Sequence, residues 1–318
     1  MSAARVGFVV GAFAPLHPGH ERLLRTAALR SDRLVVMLWS NPDHPAMPAR
    51  RRAAWVRAVV PDAEVLAFDA ADAPPDAAPG AVHRAFVRAR LPEPVDVVFT
   101  GGEAYGPALA EALGAEHAVV DRAADGLSST AYRAGVAAAP LHPLVREGFV
   151  QKVAFLGAES SGKSTLVEAL AAATGEPAVE EVGRTLWVAA GGDLPLAEYE
   201  TICREHVALE DAAVARARRF VFVDTNAVTT QQYAFFFFGE CPAVVQAYAA
   251  RCRARYAHTF VCAPEFGLVQ DGTRVHDQVQ AYMDGAVRND LTVRGIPYTV
   301  VTGSVEERVA QVLAAIGA

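Results

Sequence analysis

Val153-Ala154-Phe155-Leu156-Gly157-Ala158-Glu159-Ser160-Ser161-Gly162-Lys163-Ser164 is a short apolar run that leads into a Gly-x-x-x-x-Gly-Lys-Ser loop. The apolar residues read as a buried strand, Val153–Gly157, and Ser164–Ala173 beyond the loop reads as a helix. A loop of this spacing between a strand and a helix cradles phosphates with successive backbone N–H groups. Lys163 then reaches the β- and γ-phosphates, and Ser164 ligates Mg²⁺. Gly157, Glu159, Ser160, Ser161, Gly162 and Thr165 complete the expected ATP-binding set. The chain has 27 arginines and only two lysines, Lys152 and Lys163. A lysine kept inside the loop fits the need for a compact, flexible ammonium where a planar guanidinium fits poorly.

Downstream, Phe220-Val221-Phe222-Val223-Asp224 is an apolar strand ending in a carboxylate, as a magnesium-linked aspartate requires. Glu181-Val182-Gly183-Arg184 places a carboxylate and an arginine on a glycine turn. It reads either as a grip on a sugar diol and a phosphate or as an exposed surface pair. Asp271-Gly272-Thr273-Arg274 precedes a helix and suits a lid, with Arg274 closing over the γ-phosphate. Phe235–Phe238 points in all helical directions, so some of these rings are expected at the surface or in a pocket.

A second loop lies near the start: Gly11-Ala12-Phe13-Ala14-Pro15-Leu16-His17-Pro18-Gly19-His20. It too follows an apolar run, Arg5–Val10, and leads into a helix, His20–Arg30. Gly11 lets the backbone turn off the strand, and Gly19 permits close approach to an anion at a helix start. His17 and His20 are then placed to stabilise charge at an α-phosphorus and on leaving pyrophosphate. Ser128-Ser129-Thr130-Ala131-Tyr132-Arg133 reads as a capped helix start with an arginine one turn on, the parts of a triphosphate clamp. Arg52 is expected to meet substrate phosphate. Trp55 reads as core first and substrate contact second. Gly101, in Thr100-Gly101-Gly102-Glu103, ends a strand where parallel-sheet ligands bind, so its backbone is expected to read adenine or ribose.

Around these loops, strands at Leu34–Trp39, Glu64–Phe68, Val95–Thr100 and His117–Asp121 alternate with helices at Arg50–Val60, Ala81–Arg90 and Pro107–Leu113. The second half repeats the rhythm. Strands recur at Phe220–Asp224, Thr259–Ala263 and Tyr298–Thr302, with helices at Leu196–Arg218, Cys241–Ala257 and His276–Arg294. This predicts an α/β chain of two parallel-sheet domains. Ala137–Gly148, with Pro140 and Pro143, breaks the rhythm and places a boundary between domains 1–140 and 149–318. The chain has 318 residues, of which 52% are hydrophobic, enough for two cores. No apolar run spans a membrane and no secretory leader is visible, so a cytoplasmic protein without membrane partners is expected. Net charge is -7 and neither half is basic, which argues against a nucleic-acid partner. Four cysteines lack metal spacing and read as reduced structural thiols. Oligomeric state, including a homo-oligomer, is left open.

The His17-x-Gly19-His20 loop and the Ser128–Arg133 segment resemble the HxGH nucleotidyltransferase superfamily, whose domain is Rossmann-like. An HxGH domain followed by a P-loop kinase domain resembles the NadR family. The resemblance extends through Glu181-x-Gly183-Arg184, Gly191-Gly192-Asp193, Asp224-Thr225, Val228-Thr229-Thr230-Gln231 and Asp271-Gly272-x-Arg274. It implies a kinase that transfers the γ-phosphoryl of ATP to nicotinamide riboside. It also implies an adenylyltransferase that joins the resulting nicotinamide mononucleotide (NMN) to AMP from ATP, giving NAD and pyrophosphate. Catalytic roles then fall to Lys163 and Asp224, and to His17, His20 and Arg133. Arg52, Trp55, Glu181, Arg184 and Thr229 would contact substrate, and Ser164 and Asp224 would hold Mg²⁺. Some members carry an N-terminal helix-turn-helix domain; this chain starts at the first strand, so DNA binding and repression are expected to be absent. Relatives carry tryptophans where this chain reads Ala81-Val82-His83-Arg84. The same two loops would also serve a coenzyme A-type adenylyltransferase–kinase pair, or a nucleotide sensor without turnover.

Overall fold

The computed structural model describes residues 5–40, 44–69, 73–75, 77–102, 104–121, 127–137, 139–265 and 277–318. The chain divides into two units, Met1–Phe149 and Val150–Ala318.

The first unit runs β1 (Val6–Val10), α1 (Pro18–Leu29), β2 (Arg33–Trp39), α2 (Ala49–Val59), β3 (Glu64–Phe68), α3 (Gly80–Arg90), β4 (Val97–Thr100), α4 (Gly106–Leu113), β5 (Glu116–Val119), α5 (Ser129–Arg133) and α6 (Pro143–Phe149). Its strands form one sheet in the order β3-β2-β1-β4-β5, with every pairing parallel. Phe8 at the centre is registered with Val35 on one side and Val98 on the other. Strand side chains alternate between faces. Thus Val9, Leu34, Val36 and Leu38 enter one core, while Phe8, Val35 and Met37 enter another. Both faces are covered, which is why these strands read as continuous apolar runs.

The second unit runs β6 (Gln151–Leu156), α7 (Lys163–Thr174), β7 (Ala178–Val179), α8 (Val182–Ala189), α9 (Glu198–Val214), β8 (Phe220–Asp224), α10 (Ala227–Phe238), α11 (Ala243–Arg255), β9 (His258–Cys262), α12 (Asp277–Val293), β10 (Thr299–Val301) and α13 (Val305–Ile316). The sheet order is β10-β9-β6-β8-β7, again all parallel. In each unit the chain first lays strands on one side of the central strand, β1 or β6, and then crosses to its other side. The loop leaving that strand therefore lies at the switch point, where open parallel sheets bind ligands. Among the described residues no helix is long and apolar enough to cross a membrane.

The structure departs from the expected boundary segment. Residues 143–149 are not linker but helix α6, whose Val145 is fully buried in the core that holds Trp55 and Val56. Two prolines obscured it: Pro143 opens the helix, where a missing N–H costs nothing. Strand β7 and helices α8 and α13 also had no separate place in the sequence reading.

Burying one valine side chain contributes about 1.5–3 kcal/mol. A fragment ending at residue 140 should therefore be less stable than one ending at residue 149 by at least about 1.5 kcal/mol, and so unfold at lower denaturant. Equal midpoints in a urea titration would show that α6 is dispensable to the first unit.

Candidate active sites

In the second unit, the loop after β6 holds its shape by backbone conformations that ordinary side chains rarely adopt. Gly157 has φ 137° and Gly162 has φ 82°. A Cβ at Gly157 would meet the Cys262 carbonyl oxygen at 2.7 Å, so no other residue fits there. Ser160 sits at φ 58°, and Thr225, directly after β8, at φ 67°. Non-glycine residues in this region are uncommon and cluster at ligand sites. Gly162 is the N-cap of α7, which starts at Lys163. Lys163 is buried, and its Nζ donates to the carbonyls of Gly157 (3.1 Å) and Ala158 (2.8 Å). Ser164 Oγ donates to Asp224 Oδ2 at 2.6 Å, so the two expected magnesium ligands are adjacent. Thr165 is exposed on α7.

A cavity of about 120 Å³ opens beside this loop. Lys163, Glu159, Glu181, Arg184, Thr225, Thr229 and Thr230 supply its polar lining, and Trp187, Tyr199, Tyr233 and Phe237 its aromatic walls. Glu159 accepts a hydrogen bond from Tyr233 Oη at 3.0 Å. Five buried oxygens around the loop and cavity have no hydrogen-bond partner among the described residues: Ser160 Oγ, Ser161 Oγ, Asp224 Oδ1, Thr225 Oγ1 and Thr229 Oγ1. Buried polar atoms are nearly always paired, so such a cluster marks where a polar ligand supplies the missing partners. Glu181 Oε2 lies 3.9 Å from Arg184 Nη2. Burial raises the Glu181 carboxyl above the ordinary range, and the nearby Asp224 carboxylate pushes it further the same way. Gly183 is not on a turn as expected; it lies in α8, where its open face meets Ile202.

Sequence reasoning missed Arg308. It lies in α13 and is 1% exposed. Its guanidinium donates to the carbonyls of Ser161 (2.6 Å), Gly303 (3.0 Å) and Ala263 (3.1 Å), and to Glu265 Oε2 (2.8 Å). It therefore ties the phosphate loop to the ends of β9 and β10. The aromatic walls were missed too, apart from the Phe235–Phe238 run. Phe237 lines the cavity, and Phe235, Phe237 and Phe238 are all partly exposed, at 37%, 48% and 41%. Arg274 lies outside the described residues.

In the first unit, His17 is the N-cap of α1, and its backbone N–H faces His20 Nδ1 at 3.4 Å. Both rings are buried, with centroids 3.8 Å apart, and His17 stacks on Tyr132 of α5 at 5.7 Å. Phe13 has φ 49°, and its ring crosses Gly11 so closely that a Cβ there would meet it at 3.0 Å. Gly19 is buried in the first turn of α1. The Ser128–Arg133 segment docks onto this loop as expected. Ser128 caps α5 by accepting from Ala131 N–H, and Ser129 Oγ donates to the Pro15 carbonyl at 3.1 Å. Arg133 donates to the Ala14 carbonyl and to Thr130 Oγ1 (3.2 Å). Gly101 follows β4, where Thr100 Oγ1 donates to the Gly102 carbonyl at 2.7 Å. Glu103 lies outside the described residues.

Two expectations need correction. Arg52 is fully buried, and its guanidinium donates to the carbonyls of Met47 (2.6 Å), Trp39 (2.7 Å) and Ala12. It holds the first loop in place rather than facing a substrate phosphate. Trp55 is 2% exposed and packs in the core, with its indole against Gly148 of α6. It is core, not substrate contact, because its helix turns this face onto α6.

Comparison with known proteins matches residues 8–135 to the cytidylyltransferase-like family and residues 152–308 to the AAA domain family. The chain is 30% identical over 259 residues to the trifunctional NAD biosynthesis/regulator protein NadR of Escherichia coli (strain K12). It is 30% identical over 261 residues to the protein of the same name from Salmonella typhimurium. Each match covers 72% of this chain and 62% of the relative, so the chain spans less than two thirds of their length. Solved structures of NadR protein, one in complex with NR and one with NAD and AMP-PNP, share the fold. Their TM-scores are 0.59 and 0.58, at 21% and 20% identity. The first match covers 100% of this chain and 98% of that one; the second covers 99% and 97%.

Because the folded state raises the Glu181 carboxyl, it binds that proton more tightly than the unfolded chain does. Ionised Glu181 then costs stability, and the cost grows as pH rises from the ordinary carboxyl range through the folded value. Glu181→Gln should melt above the parent at neutral pH, with the gap closing as both states become protonated in acid. A gap that does not change with pH would remove this role from Glu181. For Arg308→Lys, loss of the fork should weaken binding of a non-hydrolysable ATP analogue about tenfold or more, because charge-assisted hydrogen bonds are worth about 1.5–3 kcal/mol. Unchanged affinity in a folded variant would mean that the Ser161 carbonyl is held some other way.

Proposed function

We propose that this chain, 30% identical over 72% of its length to NadR proteins and holding both phosphate loops, carries two linked activities of NAD biosynthesis. The second unit phosphorylates nicotinamide riboside with ATP, and the first unit adenylylates the NMN so formed. The observation that carries this reading is the group of five unpartnered oxygens beside an aromatic-walled cavity in the second unit. Such a site wants a ligand rich in hydrogen-bonding groups at one end and a flat ring at the other. A pyridinium riboside has both. Trp187, Tyr199, Tyr233 and Phe237 offer ring faces to the cationic pyridinium, and Glu159 and Glu181 lie nearby to favour positive charge. Thr225, Thr229 and Arg184 line the same cavity and would meet the ribose hydroxyls.

Phosphoryl transfer needs positioning more than covalent chemistry. The riboside 5′-hydroxyl attacks the γ-phosphorus of ATP, ADP leaves, and the hydroxyl proton is lost to a nearby base. Lys163 would release the Gly157 and Ala158 carbonyls to meet the β- and γ-phosphates. Ser164 and Asp224 suit Mg²⁺, since their oxygens are adjacent and Asp224 Oδ1 still lacks a partner. When bound, the ion would offset charge developing on the phosphates. In the first unit, an NMN phosphate oxygen attacks the α-phosphorus of a second ATP and pyrophosphate leaves. His17 and His20 would donate hydrogen bonds to the charge that develops there, with the α1 N-terminus behind them. Arg133 and Thr130 would hold the departing phosphates, and Gly101 at the end of β4 would lie against the nucleoside.

The test is a pair of radiolabelled assays, γ-labelled ATP with nicotinamide riboside and α-labelled ATP with NMN. Lys163→Ala should abolish the first activity and spare the second; His17→Ala should do the reverse. Turnover of phosphopantetheine in place of the riboside and NMN would replace this reading with a coenzyme A pathway. Loss of both activities from either single change would refute independent sites.

A further inference from the structure

We propose that a second cavity in the C-terminal unit, walled by α9, the first turn of α10 and α11, binds a small organic anion with an apolar body. The cavity measures about 260 Å³, against about 120 Å³ for the one beside the phosphate loop. His206, Val207, Asn226, Ala227, Tyr248 and Arg251 are among its lining. Thr230 faces both cavities, but Lys163, Thr225 and Thr229 line only the first. The two are therefore neighbours with separate chemistry.

The charge of the lining selects the ligand class. Glu210 is fully buried and accepts from Arg255 Nε (2.5 Å) and Tyr256 Oη (2.5 Å), with Lys152 Nζ at 3.4 Å. Lys152 and Arg255 also share Asp211, at 2.6 and 2.8 Å. Two cations and two carboxylates thus offset one another. Arg251 is the remaining cation, exposed at the rim, and its one contact among the described residues is the Tyr248 ring at 5.8 Å. An anionic group is drawn to it. Val207, Ala227 and the Tyr248 ring offer the ligand's body an apolar surface. His206 Nε2 is buried, 3.6 Å from Glu210 Oε1, with no hydrogen-bond partner among the described residues. Burial lowers the affinity of the His206 imidazole for a proton, so it adds a polar contact rather than charge. Burial pushes the thiols of Cys203 and Cys252 up to about 12, which disfavours a nucleophilic thiolate, so the role proposed for the cavity is reversible binding.

The full chain is titrated with benzoate and with benzamide, its neutral isostere, by ligand-observed NMR. Benzoate should bind, and benzamide at least about tenfold more weakly. Arg251→Gln should bring benzoate down to the level of benzamide, and Ala254→Trp, which fills the cavity from an exposed position, should abolish binding. No benzoate binding, or equal binding of the two probes, overturns the proposal. Binding that survives Ala254→Trp but is lost in Lys163→Ala belongs to the phosphate-loop cavity and overturns it as well. None of these readouts depends on riboside turnover, so the proposal can fail or stand apart from the kinase reading.

Discussion

A buried guanidinium bonded to backbone carbonyls is the interaction on which both phosphate loops depend. A loop that turns its N–H groups toward an anion turns its carbonyls the other way. Those carbonyls leave regular hydrogen bonding and still need donors. In the second unit Arg308 meets this need at Ser161 and reaches the ends of two further strands from the same fork. In the first unit the buried Arg52 serves Ala12. Each arginine works from outside its loop and leaves the ligand side free. A lysine with one nitrogen could not bridge three segments in this way.

This gives physical meaning to the imbalance of 27 arginines against two lysines. Where the fold needs several donors in a fixed plane, it uses arginine. Where it needs one mobile charge beside phosphates, it keeps Lys163. The other lysine, Lys152, lies with Arg255 against Glu210 and Asp211. There the carboxylates share two cations, and a buried charge is tolerated because it is paired.

Much of the fold was legible in the sequence because parallel strands buried on both faces leave unbroken apolar runs. β1, β2, β6 and β8 could be found that way, and a loop at the end of each central strand then located its site. The second loop was legible because the positive-φ Gly157 and Gly162 and the adjoining Lys163 keep a fixed spacing, and the first because Gly11, His17, Gly19 and His20 do. Helix α6 was not legible, since its prolines look the same in a linker as at a helix start. The family resemblance put Arg52 and Trp55 at the substrate, although the residue-level reading of Trp55 was core first. Spacing says which residues share a helix, not which face meets the core.

By itself, the sequence determined the two-domain α/β architecture and the positions of both phosphate loops. These follow from local chemistry: strand, glycine turn and helix start lie within a few residues of one another. Only the tertiary structure decided which arginines hold the loops and which aromatic residues wall the cavity. It also placed a second cavity behind α10. Those assignments depend on residues far apart in the chain, such as Arg308 and Ser161 or Trp187 and Tyr233, meeting in space, and on burial that no local pattern records.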